Sequence, residues 1–188
     1  MAETLLPVSD PVRVVGVVGP SGVGKDTVME AMAAARADVV LARRVITRAA
    51  GAGGENSIGA TDAEFDALVA QDAFALWWPA HGLRYGVPRE ALQQAGARIV
   101  LVNLSRGVLD QARAAFEDFA VLSLSADVQT LAQRLAARGR ETEAEIAGRL
   151  ARAGVSRPTG ADVVEVANDG ALAATVAAAL EALQPVRA

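Results

Sequence analysis

A three-layer α/β fold, with a parallel sheet between helices, is what this sequence predicts, and three observations carry that expectation. Short β-branched runs, apolar on both faces as in a buried parallel sheet, alternate with helical patterns. The first of these runs, Val14 to Val18, leads straight into a glycine-rich loop and then an amphipathic helix. The loop reads Gly19-Pro20-Ser21-Gly22-Val23-Gly24-Lys25-Asp26, the spacing of the P-loop G-x-x-x-x-G-K-[ST] with Asp26 where a hydroxyl is usual. The expected architecture is therefore a P-loop NTPase fold: a parallel sheet core, a small acceptor-binding lobe and a helical arginine lid.

Each residue type in the loop has a physical task. Glycines let successive backbone N–H groups turn inward and form a concave anion site. The helix that starts near Lys25 points its positive dipole end at the same place. Lys25 reaches the β- and γ-phosphates as a compact charge. Gly19, Pro20, Ser21, Gly22, Val23, Gly24, Lys25 and Asp26 are thus the expected nucleotide-binding residues. A glycine-rich turn without a ligand is the plain alternative, but the strand–loop–helix context is complete. Lys25 is moreover the only lysine in the chain. Asp26 is the expected Mg²⁺ ligand, because a carboxylate can take the place of the hydroxyl either directly or through water. Thr27 could supply a hydroxyl only if the helix began one residue later.

The elements follow in order. Residues 1–11 read as a loose tail and Val12 to Val18 as the first strand. Lys25 to about Ala35 is a helix with Val28, Met29 and Met32 on its core face. Val39 to Thr47 reads as one strand, with Arg48 at its end and a glycine-rich loop through Glu55 and Asn56 beyond it. Ligands of open α/β sheets bind outside the carboxyl ends of strands, which places Arg48 well for a substrate phosphate. Thr61 and Glu64 form a capping box for a short helix carrying Phe65, Leu68 and Val69. Ala73 to Trp78 is an apolar strand that should break at Pro79. His81 to Pro88 is turn-rich and holds the only His and the only Tyr. There, Arg84 and Tyr85 are better candidates for holding a polar ligand than His81, which reads as an ordinary loop residue.

A short helix over Glu90 to Ala95 and a buried strand over Arg98 to Leu104 come next, with Ser105 expected to cap a helix that packs Leu109, Ala112 and Phe116. Ala120 to Ser125 is a strand. Asp127 to Arg138 is a helix with Val128, Leu131 and Leu135 on one face, ended by Gly139. Thr142 to Glu145 forms a second capping box, opening a helix with Arg149 and Arg152. Arg134 and Arg138 lie four apart, on one side of their helix. This arginine-rich helical hairpin suits phosphate oxygens and the charge of a transferring phosphoryl group. A solvated hairpin balanced by Glu141, Glu143 and Glu145 is its bland alternative. Asp162 to Val166 is a last strand, and Leu172, Val176, Leu180 and Leu183 mark a closing helix.

Composition narrows the function classes. At 188 residues the chain is expected to be a single domain, 1–188, with the acceptor lobe near 48–90 and the lid near 134–152. A net charge of −4 argues against a general nucleic-acid binder. With no cysteine, there is no disulfide, Cys-metal site or thiol nucleophile. The first dozen residues do not read as a secretory signal and no apolar stretch reaches 18 residues, so no membrane partner and a cytoplasmic location are expected.

Several pieces together resemble a known family. GPSGVGKD, V-I-T-R (Val45 to Arg48), G-E-N (Gly54 to Asn56), F-A-L-x-W (Phe74 to Trp78) and H/N-G-L-x-Y-G-V (His81 to Val87) are joined by L-V-N-x-S-R (Leu101 to Arg106), R-G-R-E (Arg138 to Glu141) and N-D-G (Asn168 to Gly170). They resemble the guanylate kinase-like group of P-loop kinases, and within it the ribose 1,5-bisphosphate phosphokinase family of phosphonate breakdown. The resemblance implies transfer of the γ-phosphate of ATP, with Mg²⁺, to ribose 1,5-bisphosphate. It makes Lys25, Arg48, Arg138 and Arg149 the expected catalytic residues. Arg134 and Asn168 join the nucleotide set, and Arg48, Glu55, Arg84 and Tyr85 form the substrate set. The implied partner is a small phosphorylated sugar, and a homodimer is the assembly considered. Two alternatives stay open: a guanylate or other nucleoside monophosphate kinase, and a guanylate kinase-like binding domain without catalysis.

Overall fold

The computed structural model describes residues 12–49, 56–137 and 157–184. Five strands form a parallel sheet: β1 (Arg13–Val18), β2 (Val39–Leu41), β7 (Ile99–Asn103), β8 (Phe119–Ser125) and β9 (Val163–Ala167). Their spatial order is β2-β7-β1-β8-β9, and every neighbouring pair runs parallel. The chain moves to one side of β1 for β7 and to the other for β8. The carboxyl end of β1 is therefore the topological switch point, where open α/β sheets hold their ligands.

Alternation along β1 sends its side chains to two cores. Val15 and Val17 pack with Val28, Met29 and Met32 of α1 (Lys25–Ala35), Leu131 of α4 (Val128–Ala137) and Val176 and Ala179 of α5 (Leu172–Ala182). Val14 and Val18 face the other way, toward Leu109 and Ala112 of α3 (Leu109–Ala115). This second core also takes Leu76, Trp78, Tyr85 and Val87 from a smaller sheet. Its strands are β3 (Val45–Ile46), β4 (Ile58–Gly59), β5 (Phe74–Ala80) and β6 (Leu83–Pro88), in the order β4-β3-β6-β5. The expected three-layer α/β arrangement with a parallel core is thus present. Among the described residues, no helix is long and apolar enough to cross a membrane.

Several local expectations change. The single strand expected over Val39 to Thr47 is two short ones in different sheets, β2 and β3. The chain leaves the large sheet at Ala42 and passes Arg43 and the buried Arg44 before β3 begins. Pro79 does not break β5, which runs on to Ala80 because β5 is an edge strand, where a missing N–H costs little. The turn-rich segment after it is mostly strand. Only His81 and Gly82 turn, both at positive φ (53° and 72°), as a tight two-residue hairpin requires. His81 is exposed at that hairpin tip.

The helix expected from Glu90 shrinks to one 3₁₀ turn, Arg89–Leu92. Ser105 opens a second 3₁₀ turn (Arg106–Val108) rather than α3, and its hydroxyl accepts a hydrogen bond from Trp78 Nε1 at 3.1 Å instead of capping. Val128 is 61% exposed, so the buried residues of α4 are Leu131 and Leu135. The capping box at Thr61 forms as expected: Thr61 Oγ1 accepts from Glu64 N (3.2 Å), and Glu64 Oε2 accepts from Thr61 N (2.7 Å). The second capping box, at Thr142, lies outside the described residues.

Candidate nucleotide-binding site

The P-loop leaves the buried end of β1 and turns back over it into α1. Gly19 is dictated by crowding, since a Cβ there would stand 2.6 Å from the Leu124 carbonyl oxygen of β8. Gly24, in the left-handed region at φ 92°, ψ 30°, precedes the first turn of α1. A side chain there would be strained by that conformation and would also crowd Asn168 Nδ2. Pro20 O accepts from Val23 N (3.3 Å), closing the turn around the half-buried Ser21 and the buried Gly22. Val23 is fully buried in the helix-side core and anchors the loop.

Lys25 folds back over its own loop, with Nζ donating to Gly19 O (3.0 Å) and Pro20 O (3.4 Å). Two side chains from elsewhere converge on the carbonyl of Val23. Asn168, 5% exposed, donates Nδ2–H to it at 2.8 Å, and Arg134 of α4 donates from Nη1 at 3.2 Å. Asn168 is itself held by Thr175 of α5, whose hydroxyl donates to Asn168 Oδ1 at 2.9 Å. The neighbouring Asp169 accepts the Asp127 backbone N–H (2.7 Å), which fixes the start of α4. Asp127 in turn accepts from Thr130 N, and that backbone hydrogen bond is the main reason its carboxyl lies below the usual carboxylate range. The loop after β9 thus braces the P-loop and α4 together, which places Asn168 against the loop backbone.

Asp26 lies half-buried in the first turn of α1, and Thr27 beside it is exposed. Asp26 Oδ1 accepts a hydrogen bond from Asn103 Nδ2 at 2.9 Å. Asn103 is the last residue of β7, in register with Val17 of β1. Sequence reasoning gave Asn103 no role, although an amide closing an otherwise apolar strand beside the P-loop was a usable signal. Thr175 was missed too; its signal was a hydroxyl within the alanine-rich apolar run of α5. Among the described residues, no three His, Cys, Asp or Glu side chains form a cage for a metal. The hard oxygens of Asp26 and Asn103 fit Mg²⁺ brought in on nucleotide phosphates, since that ion usually takes one or two protein ligands and keeps its other positions for phosphate and water.

The remaining expected residues lie in the smaller sheet. Arg48 follows β3, half-buried, with its backbone N–H donating to Ile46 O (2.7 Å). It is one residue from Thr47, whose hydroxyl accepts from Arg84 N at 2.8 Å, so Arg48, just past β3, lies beside the strand that carries Arg84. The Arg84 guanidinium pairs with Asp66 and Asp62 of α2 (Asp62–Ala70) and lies 4.7 Å over the Phe65 ring. The hydrogen bond to Asp66 is the main cause of its raised pKa. Tyr85 is 9% exposed; its ring stacks on Trp78 at 5.5 Å and carries the Arg44 guanidinium 5.0 Å from its centroid. The structure thus brings together Gly19 through Asp26, Arg134 and Asn168 at one site and sets Arg48, Arg84 and Tyr85 in the other sheet. Glu55, Arg138 and Arg149 lie outside the described residues.

Comparison with solved structures gives the class of protein first. A guanylate kinase from Anaplasma phagocytophilum superposes with a TM-score of 0.61 over 94% of this chain and 86% of its own, at 20% identity. With the P-loop at the switch point, that defines a P-loop protein of guanylate kinase-like fold. No family model matches the sequence. Curated relatives do: a ribose 1,5-bisphosphate phosphokinase PhnN of Ruegeria sp. (strain TM1040) is 53% identical over 177 residues, 93% of each chain. A protein of the same name from Rhizobium etli (strain CIAT 652) is 45% identical over 83% of this chain and 81% of its own. The chain belongs to the ribose 1,5-bisphosphate phosphokinase family.

Proposed function

We propose that this protein transfers the γ-phosphate of ATP to ribose 1,5-bisphosphate, giving 5-phosphoribosyl 1-diphosphate and ADP, as a step of phosphonate catabolism. An oxygen of the acceptor's 1-phosphate attacks the γ-phosphorus. A new P–O–P bond forms, the bond from the γ-phosphorus to the β,γ-bridging oxygen breaks, and ADP leaves with the electron pair. The attacking oxygen is already ionised near pH 7, so no strong general base is needed. The demand falls on positioning and charge. Lys25 and the loop N–H groups would hold the donor phosphates, with Arg48, Arg138 and Arg149 around the transferring group. Mg²⁺, when bound, would supply Lewis-acid charge neutralisation.

The observation that carries this reading is the 53% identity to a named ribose 1,5-bisphosphate phosphokinase over 93% of both chains, which spans the P-loop half and the smaller sheet alike. The smaller sheet supports an anionic acceptor. Arg84 is held by two carboxylates that are 82% and 68% exposed, so an incoming phosphate could take their place against solvent-screened competition. Tyr85, on the opposite face of β6, would meet the acceptor beside Arg44, and Glu55 would meet the sugar. A soluble cytoplasmic enzyme, working alone or as a homodimer, fits this chemistry.

The test is a ³¹P NMR assay with Mg·ATP and four parallel acceptors: ribose 1,5-bisphosphate, GMP, AMP and none. A new diphosphate signal with ribose 1,5-bisphosphate alone is expected. Transfer to GMP instead would make the protein a nucleotide kinase, and ATP binding without any transfer would make it a binding domain.

A further inference from the structure

The hydrogen bond between Asp26 and Asn103 joins the P-loop helix to the end of the neighbouring parallel strand. In P-loop enzymes generally these two places hold a Ser or Thr on the loop and an Asp on the strand, and together they hold the metal. Here the residue types are reversed. The carboxylate stands on α1 and a neutral amide stands at the end of β7, 2.9 Å apart. Each arrangement carries one negative charge in total; only its position differs. A carboxylate oxygen only accepts hydrogen bonds, so the Asn103 amide must turn its NH₂ toward Asp26. Among the described residues this is the one hydrogen bond of each side chain, which leaves Asp26 Oδ2 and Asn103 Oδ1 as oxygen acceptors without a hydrogen bond.

We propose that Asp26 and Asn103 act as one exchanged pair, in which Asn103 is a positioning residue that orients the Asp26 carboxylate toward the metal carried by the nucleotide. The pair rests on the nucleotide and metal part of the proposed function but not on the identity of the acceptor. On this reading, neither position should accept the ordinary residue by itself. A hydroxyl at position 26 with Asn103 retained leaves the site without a carboxylate. An Asp at position 103 with Asp26 retained puts two carboxylates within hydrogen-bond reach of each other, where they repel unless a proton or a cation sits between them. Only a simultaneous change restores one carboxylate with one neutral hydrogen-bonding partner beside it.

The experiment is a double-mutant cycle on the full chain without any acceptor. ADP affinity is measured by calorimetry for wild type, Asp26→Thr, Asn103→Asp and the double variant, with excess Mg²⁺ and with EDTA. The ratio of the two dissociation constants is the metal coupling. Asp26→Thr should lower that ratio about tenfold, within the usual range of coupling between sites. Asn103→Asp should weaken ADP binding about tenfold in EDTA and make it steeply dependent on Mg²⁺. The double variant should return both numbers to within about threefold of wild type, and the electron paramagnetic resonance spectrum of Mn²⁺·ADP should return with them.

If the double variant shows only the sum of the single effects, the exchanged pair is wrong. Should Asn103→Asp fail to fold, Asn103→Ala serves: a lower metal coupling supports the orienting role, whereas a lowered Tm with unchanged coupling leaves Asn103 merely structural and overturns it. Failure of the acceptor assignment looks different, because it would leave the coupling intact and abolish only transfer to ribose 1,5-bisphosphate.

Discussion

The two edges of the parallel sheet are built from the same residue types and put them to opposite uses. At the amino-terminal edge, carboxylates are matched by guanidinium groups. Arg13 bonds Asp118 just before β8 at 2.8 Å, Arg36 bonds Asp38 just before β2, and Arg113 of α3 bonds Asp162 just before β9 at 2.8 Å. At the carboxyl edge several polar side chains bond to neutral groups. Asn168 and Arg134 donate to the Val23 carbonyl, Lys25 donates to the Gly19 and Pro20 carbonyls, and Asp26 accepts from the Asn103 amide. Paired charges at the first edge add a little stability. At the second edge the ammonium of Lys25 and the carboxylate of Asp26 lie beside the loop, where a polyanion with its cation can meet them.

If this division of labour is right, the largest effect of any single change belongs to the carboxyl edge. Lys25→Ala removes the loop's cation and should lower the transfer rate by about a thousandfold, comparable to the loss of a transition-state donor. Thermal unfolding and circular dichroism should be close to wild type, since Lys25 is only half-buried. A folded variant with near-normal turnover would break the comparison at its strongest point.

Asn168→Ala sharpens it, because this residue braces the edge without displaying a charge. Truncation leaves the Thr175 hydroxyl with only its 3.3 Å contact to Ala167 O and takes one of two donors from the Val23 carbonyl. A cost of about 2 kcal/mol in stability is expected, read as the shift in a urea melt. ADP affinity should fall together with it, by roughly tenfold, because a loosened Val23 lets the loop N–H groups diverge. Full ADP affinity in a destabilised variant would show that the brace serves the fold alone.

What could be read in the sequence follows the same division. The P-loop, β1 and α1 are contiguous, so their chemistry lies in one stretch, and α1 spans Lys25–Ala35 as the apolar spacing of Val28, Met29 and Met32 suggests. The brace is not contiguous. Asn103 and Thr175 reach the loop from 77 residues away and through a second side chain respectively, and no local pattern encodes such a meeting. The smaller sheet was hardest to read for a related reason. Its strands β3 and β4 have two residues each, too short for alternation to register, and Pro79 reads as a break until its place on an edge strand is known. Arg84 and Tyr85 are ligand candidates by their polarity, while the carboxylates beside Arg84 and the ring stacked on Tyr85 come from elements that no local pattern links to them.

The smallest effect should come from the amino-terminal edge, and it carries a pH signature. Hydrogen bonds from Arg113 hold the Asp162 carboxyl below the usual carboxylate range, as those from Arg36 do for Asp38. A carboxyl whose folded pKa is depressed contributes stability above its unfolded pKa, near 4, and loses it as pH falls through the lower folded value. Arg113→Ala should therefore destabilise the protein at pH 7 by less than about 1 kcal/mol, because both partners are a quarter to a third exposed and solvent screens them. The gap between wild type and variant should close as the pH of the urea melts is lowered from 5 toward 2. ADP affinity at pH 7 should not move, since Asp162 precedes β9 and the P-loop lies at the opposite edge. A variant that loses ADP affinity along with its stability would show the two edges to be coupled, and the neutralised pairs would then have to be counted as part of the site.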